Sequence, residues 1–140
     1  MSPRSKRLFL LLVFAQAAHS VEEYVTRLFE VFAPARFVSG LVSEDLTLGF
    51  VVVNAAVVGI CAWCYLGPVR AGGVAGQIAA AVWVVIELAN GIGHIGIAAA
   101  SGAYFSGSLT AVLLVVTAGG LAWSLSTDKR PGVPVAGGVA

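Results

Sequence analysis

Two short stretches hold most of the groups able to do chemistry: His-Ser-Val-Glu-Glu at 19–23 and Ile-Glu-Leu-Ala-Asn-Gly-Ile-Gly-His at 86–94. On a helix turning 100° per residue, His19, Glu22 and Glu23 (i, i+3, i+4) share one face, and Glu87, Asn90 and His94 (i, i+3, i+7) form a second stripe. An apolar setting disfavours the ionised carboxyl, and neighbouring carboxyls do not readily ionise together. At least one of Glu22, Glu23 and Glu87 is therefore expected to stay protonated and act as an acid, while a histidine holds another as a base. His19 and His94 are the candidates for tuning or proton shuttling. Asn54, Asn90, Trp83 and Tyr104 are the candidates for contacting a substrate, the two aromatics by walling a pocket and stabilising positive charge.

These groups stand out because so little else is charged. Of 140 residues, 59% are hydrophobic and 11% charged, against about a quarter charged in an ordinary soluble domain. Mean hydropathy is +0.94, so the chain is expected to be a single integral-membrane domain in a bilayer. The net charge of +1 gives no reason to expect nucleic acid as a partner. Cys61 and Cys64 lie in an apolar run and read as packing residues.

A spanning helix needs about 20 mainly apolar residues, which predicts an all-α, four-helix transmembrane up-down bundle with spans near 8–32, 46–67, 74–100 and 106–126. Residues 1–7 form a basic N-terminus, 8–126 the folded domain, and 127–140 a flexible cytoplasmic tail. The links "APARFVSGLVSED", "GPVRAGG" and "SGAYFSG" are rich in helix-breaking residues. Arg4, Lys6, Arg7, Arg70, Lys129 and Arg130 fall on one side, which predicts both termini in the cytoplasm. "SPRSKR", "LFLLLVF" and "AQA" also have the parts of a secretory signal. Cleavage after Ala17 would strand His19, Glu22 and Glu23 at a new terminus, so residues 1–17 are expected to stay. Counting depth at helical rise then puts His19, Asn54, Glu87 and Asn90 in one layer near the bilayer midplane, where ionisable groups are costly and the default reading is functional.

"HSVEE" resembles the motif of the HXXEE domain family, small bacterial integral membrane proteins of largely unassigned function. "NGIGH" is similar to that family's later Asn-x-x-x-His element. "YFSGSLT" keeps Tyr104, Gly107 and Thr110 of a third element but has Ser106 where proline is expected, and its role reads as a turn opening helix four. The resemblance covers about 8–126 and implies that these residues form one site in a bacterial inner-membrane protein. It implies no particular reaction.

Three function classes follow. The first is a cofactor-independent enzyme acting on an apolar isoprenoid, polyketide or lipid-like substrate by cyclisation, isomerisation or epoxide opening. The second uses His19, Glu22 or Glu23, Glu87 and His94 as ligands of zinc or iron. The third is a small proton-coupled permease, for which four helices without an inverted repeat are poorly suited unless the chain forms a homo-oligomer. Among blander features, Glu23, Arg27 and Glu30 are spaced for a salt ladder. Gly96 with Ala100 and Ala98 with Gly102 have small-xxx-small spacing for close packing. Thr110, Thr117 and Ser124 share a face and are expected to bond to backbone or to a neighbour.

Overall fold

The computed structural model describes residues 1–128. Six α-helices make up the fold: α1 (Pro3–Val25), α2 (Leu28–Val31), α3 (Ala33–Val42), α4 (Leu46–Cys64), α5 (Gly73–Ser101) and α6 (Ser108–Asp128), with a π-helical turn over Tyr65–Val69 after α4. No strand occurs among the described residues. Four helices, with α4 and its π turn counted as one, are long and apolar enough to cross a membrane. The chain is thus a helical bundle of membrane-protein character. The expected tail lies outside the described residues except for Thr127 and Asp128, which close α6.

Local chemistry sets the boundaries. Ser2 caps α1, its hydroxyl accepting from the Ser5 N–H, and Pro3 occupies the first turn, where its missing N–H costs nothing. The first span begins at Pro3 and stops at Val25, seven residues short of the expected end. Arg27 is left-handed (φ 57°) there, and Thr26 Oγ1 bonds back to Glu22 O at 2.6 Å. No glycine or proline marks this break in the sequence. The expected loop over 33–45 contains α3, because Pro34 sits in that helix's first turn, the one place in a helix where proline is welcome. Phe37 and Leu41 of α3 are exposed, as on an interfacial helix. Asp45 caps α4 by accepting from the N–H groups of Thr47 and Leu48. Pro68 lies inside the π turn, and left-handed Gly72 and Gly73 reverse the chain into α5.

Side-chain pairs fix the topology. Ser5 meets Ser124 and His19 meets Thr110, so α1 and α6 run antiparallel. Phe9 stacks on Tyr65 and Ser20 reaches Asn54, so α1 and α4 do too. The core between them is apolar: Phe9, Leu12, Leu114 and Leu121 are fully buried, with Cys61, Cys64 and Trp83 in the same cluster. Both cysteines are free and act as packing residues. Close helix contact occurs at Gly91, where an added Cβ would lie 2.8 Å from Val115 and 3.0 Å from Ala111 O. Gly96, expected to pack, has open space instead, because the face of α5 turned to α6 is the one carrying Gly91 and His94. Lys6 Nζ donates to Arg70 O at 2.7 Å, which brings the basic N-terminus and the α4–α5 link to one end of the bundle.

Candidate functional site

Near the other end, His19 and Glu23 of α1 meet His94 of α5. Glu23 Oε1 lies 3.3 Å from His19 Nε2 and 3.2 Å from His94 Nε2. One ligand atom from each residue falls within 4.8 Å of the others, and all three side chains are buried. The two imidazoles meet edge to face, centroids 4.8 Å apart.

Both rings are held through Nδ1. His94 Nδ1 donates to Ser106 O at 2.6 Å. His19 Nδ1 is 2.9 Å from Thr110 Oγ1, whose own proton goes to Glu22 Oε2. A hydroxyl that donates to a carboxylate has only lone pairs left for the imidazole, so His19 Nδ1 carries the proton. With both imidazoles neutral, both Nε2 lone pairs face the Glu23 carboxylate. Three acceptors then converge with no donor among them, and His19 Nε2, in a side chain with no exposed surface, has no hydrogen-bond partner among the described residues.

The segment between α5 and α6 is the second layer of this site and more than the expected turn. Gly107 has φ 84°, and a Cβ there would lie 2.7 Å from His94 Nδ1 and 2.8 Å from His19 Cε1, so only glycine leaves room for the ring pair. Ser106, in place of the expected proline, is buried and bonds through its hydroxyl to Thr26 Oγ1. Glu22 points away from the histidines and caps α6. It accepts from Tyr104 Oη (2.7 Å), Leu109 N (3.2 Å), Thr110 N (2.7 Å) and Thr110 Oγ1. Burial, then the Glu22 carboxylate, pushes the Tyr104 phenol up from its ordinary value. Tyr104 is thus bound to Glu22, and Thr110 serves the histidine relay, whereas Thr117 bonds to the backbone of its own helix at Leu113 O as expected.

Glu87 is buried but stands apart, two helical turns before His94, and is not in the three-residue cluster. With its amide nitrogen toward Glu87, Gln16 donates to both carboxylate oxygens at 2.8 and 3.2 Å. Ser20 Oγ lies 3.1 Å from that amide and donates to Asn54 Oδ1 at 2.7 Å, while Asn54 Nδ2 donates to Phe50 O at 3.2 Å. Gln16, Ser20 and Thr26 had no signal in sequence, since uncharged polar side chains are unremarkable in or beside a spanning helix, and Ser106 stood out only as a departure from the expected proline. Trp83 packs in the core and lines neither the cavity beside His94 nor the one between α1 and α4. Arg27 and Glu30 form an exposed pair, and Arg27 holds the Glu30 carboxyl below its usual range; Glu23 turns inward and leaves the ladder.

A cavity of about 250 Å³ opens on the cluster, lined by Glu23 and His94 with Asn54, Asn90, Phe32 and Phe50. Asn54 and Asn90 are the two expected substrate contacts that reach it. Residues 10–121 match the family described as proteins of unknown function with an HXXEE motif.

The chain belongs to the HXXEE family.

The motif residues that name the family take different parts in this member: the histidine and second glutamate form the cluster, and the first glutamate holds the layer behind it. No curated protein and no solved structure matches the chain.

Proposed function

We propose that this HXXEE protein is a metal-dependent enzyme of the bacterial inner membrane, with His19, Glu23 and His94 as the ligands of a zinc ion and an apolar substrate. The observation that carries this reading is the orphaned, fully buried His19 Nε2 facing a carboxylate and a second imidazole. Neighbouring ligands on tetrahedral zinc, with bonds of 2.0–2.2 Å, stand about 3.4 Å apart. The two contacts to Glu23, 3.2 and 3.3 Å, fit that spacing, whereas the two imidazole nitrogens stand within 4.8 Å of each other and would draw closer to share one ion. The backing of each ring by Ser106 O or by Thr110 and Glu22 is the arrangement that fixes tautomer and direction in metal-binding histidines.

A His2Glu set leaves a coordination position for water or substrate, and a metal there supplies Lewis-acid polarisation of a carbonyl or an activated water. Glu23 and His94 border the cavity, and Asn54 and Asn90 can orient a polar group beside them. Clustering of Lys6, Arg7 and Arg70 on one side supports cytoplasmic termini.

The test is metal content by mass spectrometry on tag-free protein purified in mild detergent without chelator. About one equivalent of zinc or iron, lost in Glu23→Gln and His94→Ala variants that keep their helical content, is the expected result. A folded, metal-free protein would overturn this reading in favour of a second. In that case Glu23 and the histidines share protons and buried Glu87 is the acid of a cofactor-independent cyclase, isomerase or epoxide-opening enzyme. The isolation of Glu87 from the histidines, with Gln16 as its partner, is what keeps that alternative standing.

A further inference from the structure

A larger cavity, about 540 Å³, lies between α1 and α4 on the lipid-facing side. Ala17 and Ala55 give it depth, and Val21, Val51 and Tyr24, all exposed, form its open rim. No charged side chain lines it; its polar members are Ser20, Asn54 and the phenol of Tyr24.

Hydrogen-bond counting at Asn54 specifies what this groove lacks. Its Oδ1 takes the Ser20 proton, and its Nδ2 makes one bond, to Phe50 O. An amide nitrogen carries two protons, so one N–H has no partner among the described residues. At membrane depth an unpaired donor is costly, and water is not there to satisfy it. What fits is therefore an acceptor. A charged head would have no counter-charge in this lining and would carry a cost of several kcal/mol.

Asn54 and Phe50 also line the smaller cavity that reaches Glu23 and His94. The wall shared by the two spaces thus carries the free donor, with hydrocarbon on one side and the His/Glu cluster on the other. We infer that the groove between α1 and α4 takes the hydrocarbon chain of an uncharged lipid from the bilayer, and that Asn54 holds its carbonyl or ether oxygen at the entrance to the cluster. This inference names the substrate class of the proposed centre and rests on that reading.

Photolabelling of the full chain in lipid nanodiscs tests it, with three diazirine-bearing probes built on a C16 chain: hexadecyl acetate, hexadecane and palmitate. The acetate is expected to label peptides 17–24 and 50–58 saturably, about fivefold above the alkane, the worth of one neutral hydrogen bond. Asn54→Leu should reduce it to the alkane level, and Ala55→Trp, which fills the groove while residue 54 stays asparagine, should reduce acetate and alkane alike. Equal labelling by acetate and alkane in both wild type and Asn54→Leu would overturn the inference and make the groove an ordinary lipid contact. Preferential palmitate labelling would also overturn it, by calling for a charged head. Metal content measured on the same samples separates the two claims: acetate preference in a metal-free wild type removes the metal centre and keeps the groove, whereas bound zinc without acetate preference does the reverse.

Discussion

The helix pair α1 and α6 carries a buried polar cluster at each end, and the two are built on opposite principles. Where the start of α1 meets the end of α6, Ser5 Oγ lies 2.8 Å from Ser124 Oγ and donates to Asp128 Oδ2 at 2.8 Å, which also accepts from Ser2 N at 2.8 Å. The acceptor carboxylate there is met by donors. At the far end, Glu23 faces two imidazole nitrogens that present lone pairs when the rings are neutral, and one of these nitrogens has no hydrogen-bond partner among the described residues. A satisfied buried cluster needs nothing more to be stable, whereas an unsatisfied one costs free energy until something cationic completes it. The clasp at Ser5 and Asp128 is therefore a structural fastening, and on the proposed reading the His/Glu cluster is a receptor for a cation.

Substitutions can break or sharpen that contrast. The largest effect is expected from Gly107→Ala, which puts a methyl group against both imidazoles at a positive φ. Metal binding should disappear and the thermal midpoint should fall, because left-handed strain alone costs on the order of 1–3 kcal/mol; titration with zinc and a melting curve measure the two. Next comes the metal itself. At a free zinc concentration 100 times the dissociation constant, wild type should gain about 2.7 kcal/mol of stability. Glu23→Gln should gain nothing, and an equal gain would show that zinc binds elsewhere.

A smaller effect is expected behind the ligands. Thr110→Val cuts the link from His19 to Glu22 and should weaken zinc binding by about 10- to 100-fold, the usual range for such backing groups. An unchanged affinity would mean that the ring is held by packing alone. The smallest effect belongs to the clasp: Ser5→Ala should cost about 1 kcal/mol of stability and leave metal content unaltered. Loss of metal in that variant would collapse the distinction between the two ends.

The clusters differ as well in how legible they were. His19, Glu23 and His94 stood out because charged and imidazole groups are rare in spanning helices, so their presence there is itself a signal. Ser5, Ser124 and Asp128 carried no comparable signal, since serines are common in such helices and Asp128 falls in the stretch expected to be a flexible tail. The four spans followed from apolar length, a local property. The break at Arg27 did not, because it depends on Thr26 meeting Ser106, a contact between distant segments; the helix over 33–42 did not either, because Pro34 and Gly40 read as breakers although proline is at home in a helix's first turn.

Composition and spacing alone determined a membrane bundle with His19, Glu22 and Glu23 on one side of the first helix and Glu87, Asn90 and His94 on one side of the third. They could not divide those residues among roles. Glu22 and Glu23 are separated by one residue and hence 100° of rotation, and which of them meets the histidines depends on where α5 and α6 lie around α1. Tertiary packing turned Glu23 to His94, sent Glu22 to the start of α6, left Glu87 with Gln16, and brought Gly107 against both rings. Helical periodicity specifies a face; only the packed neighbours specify what that face touches.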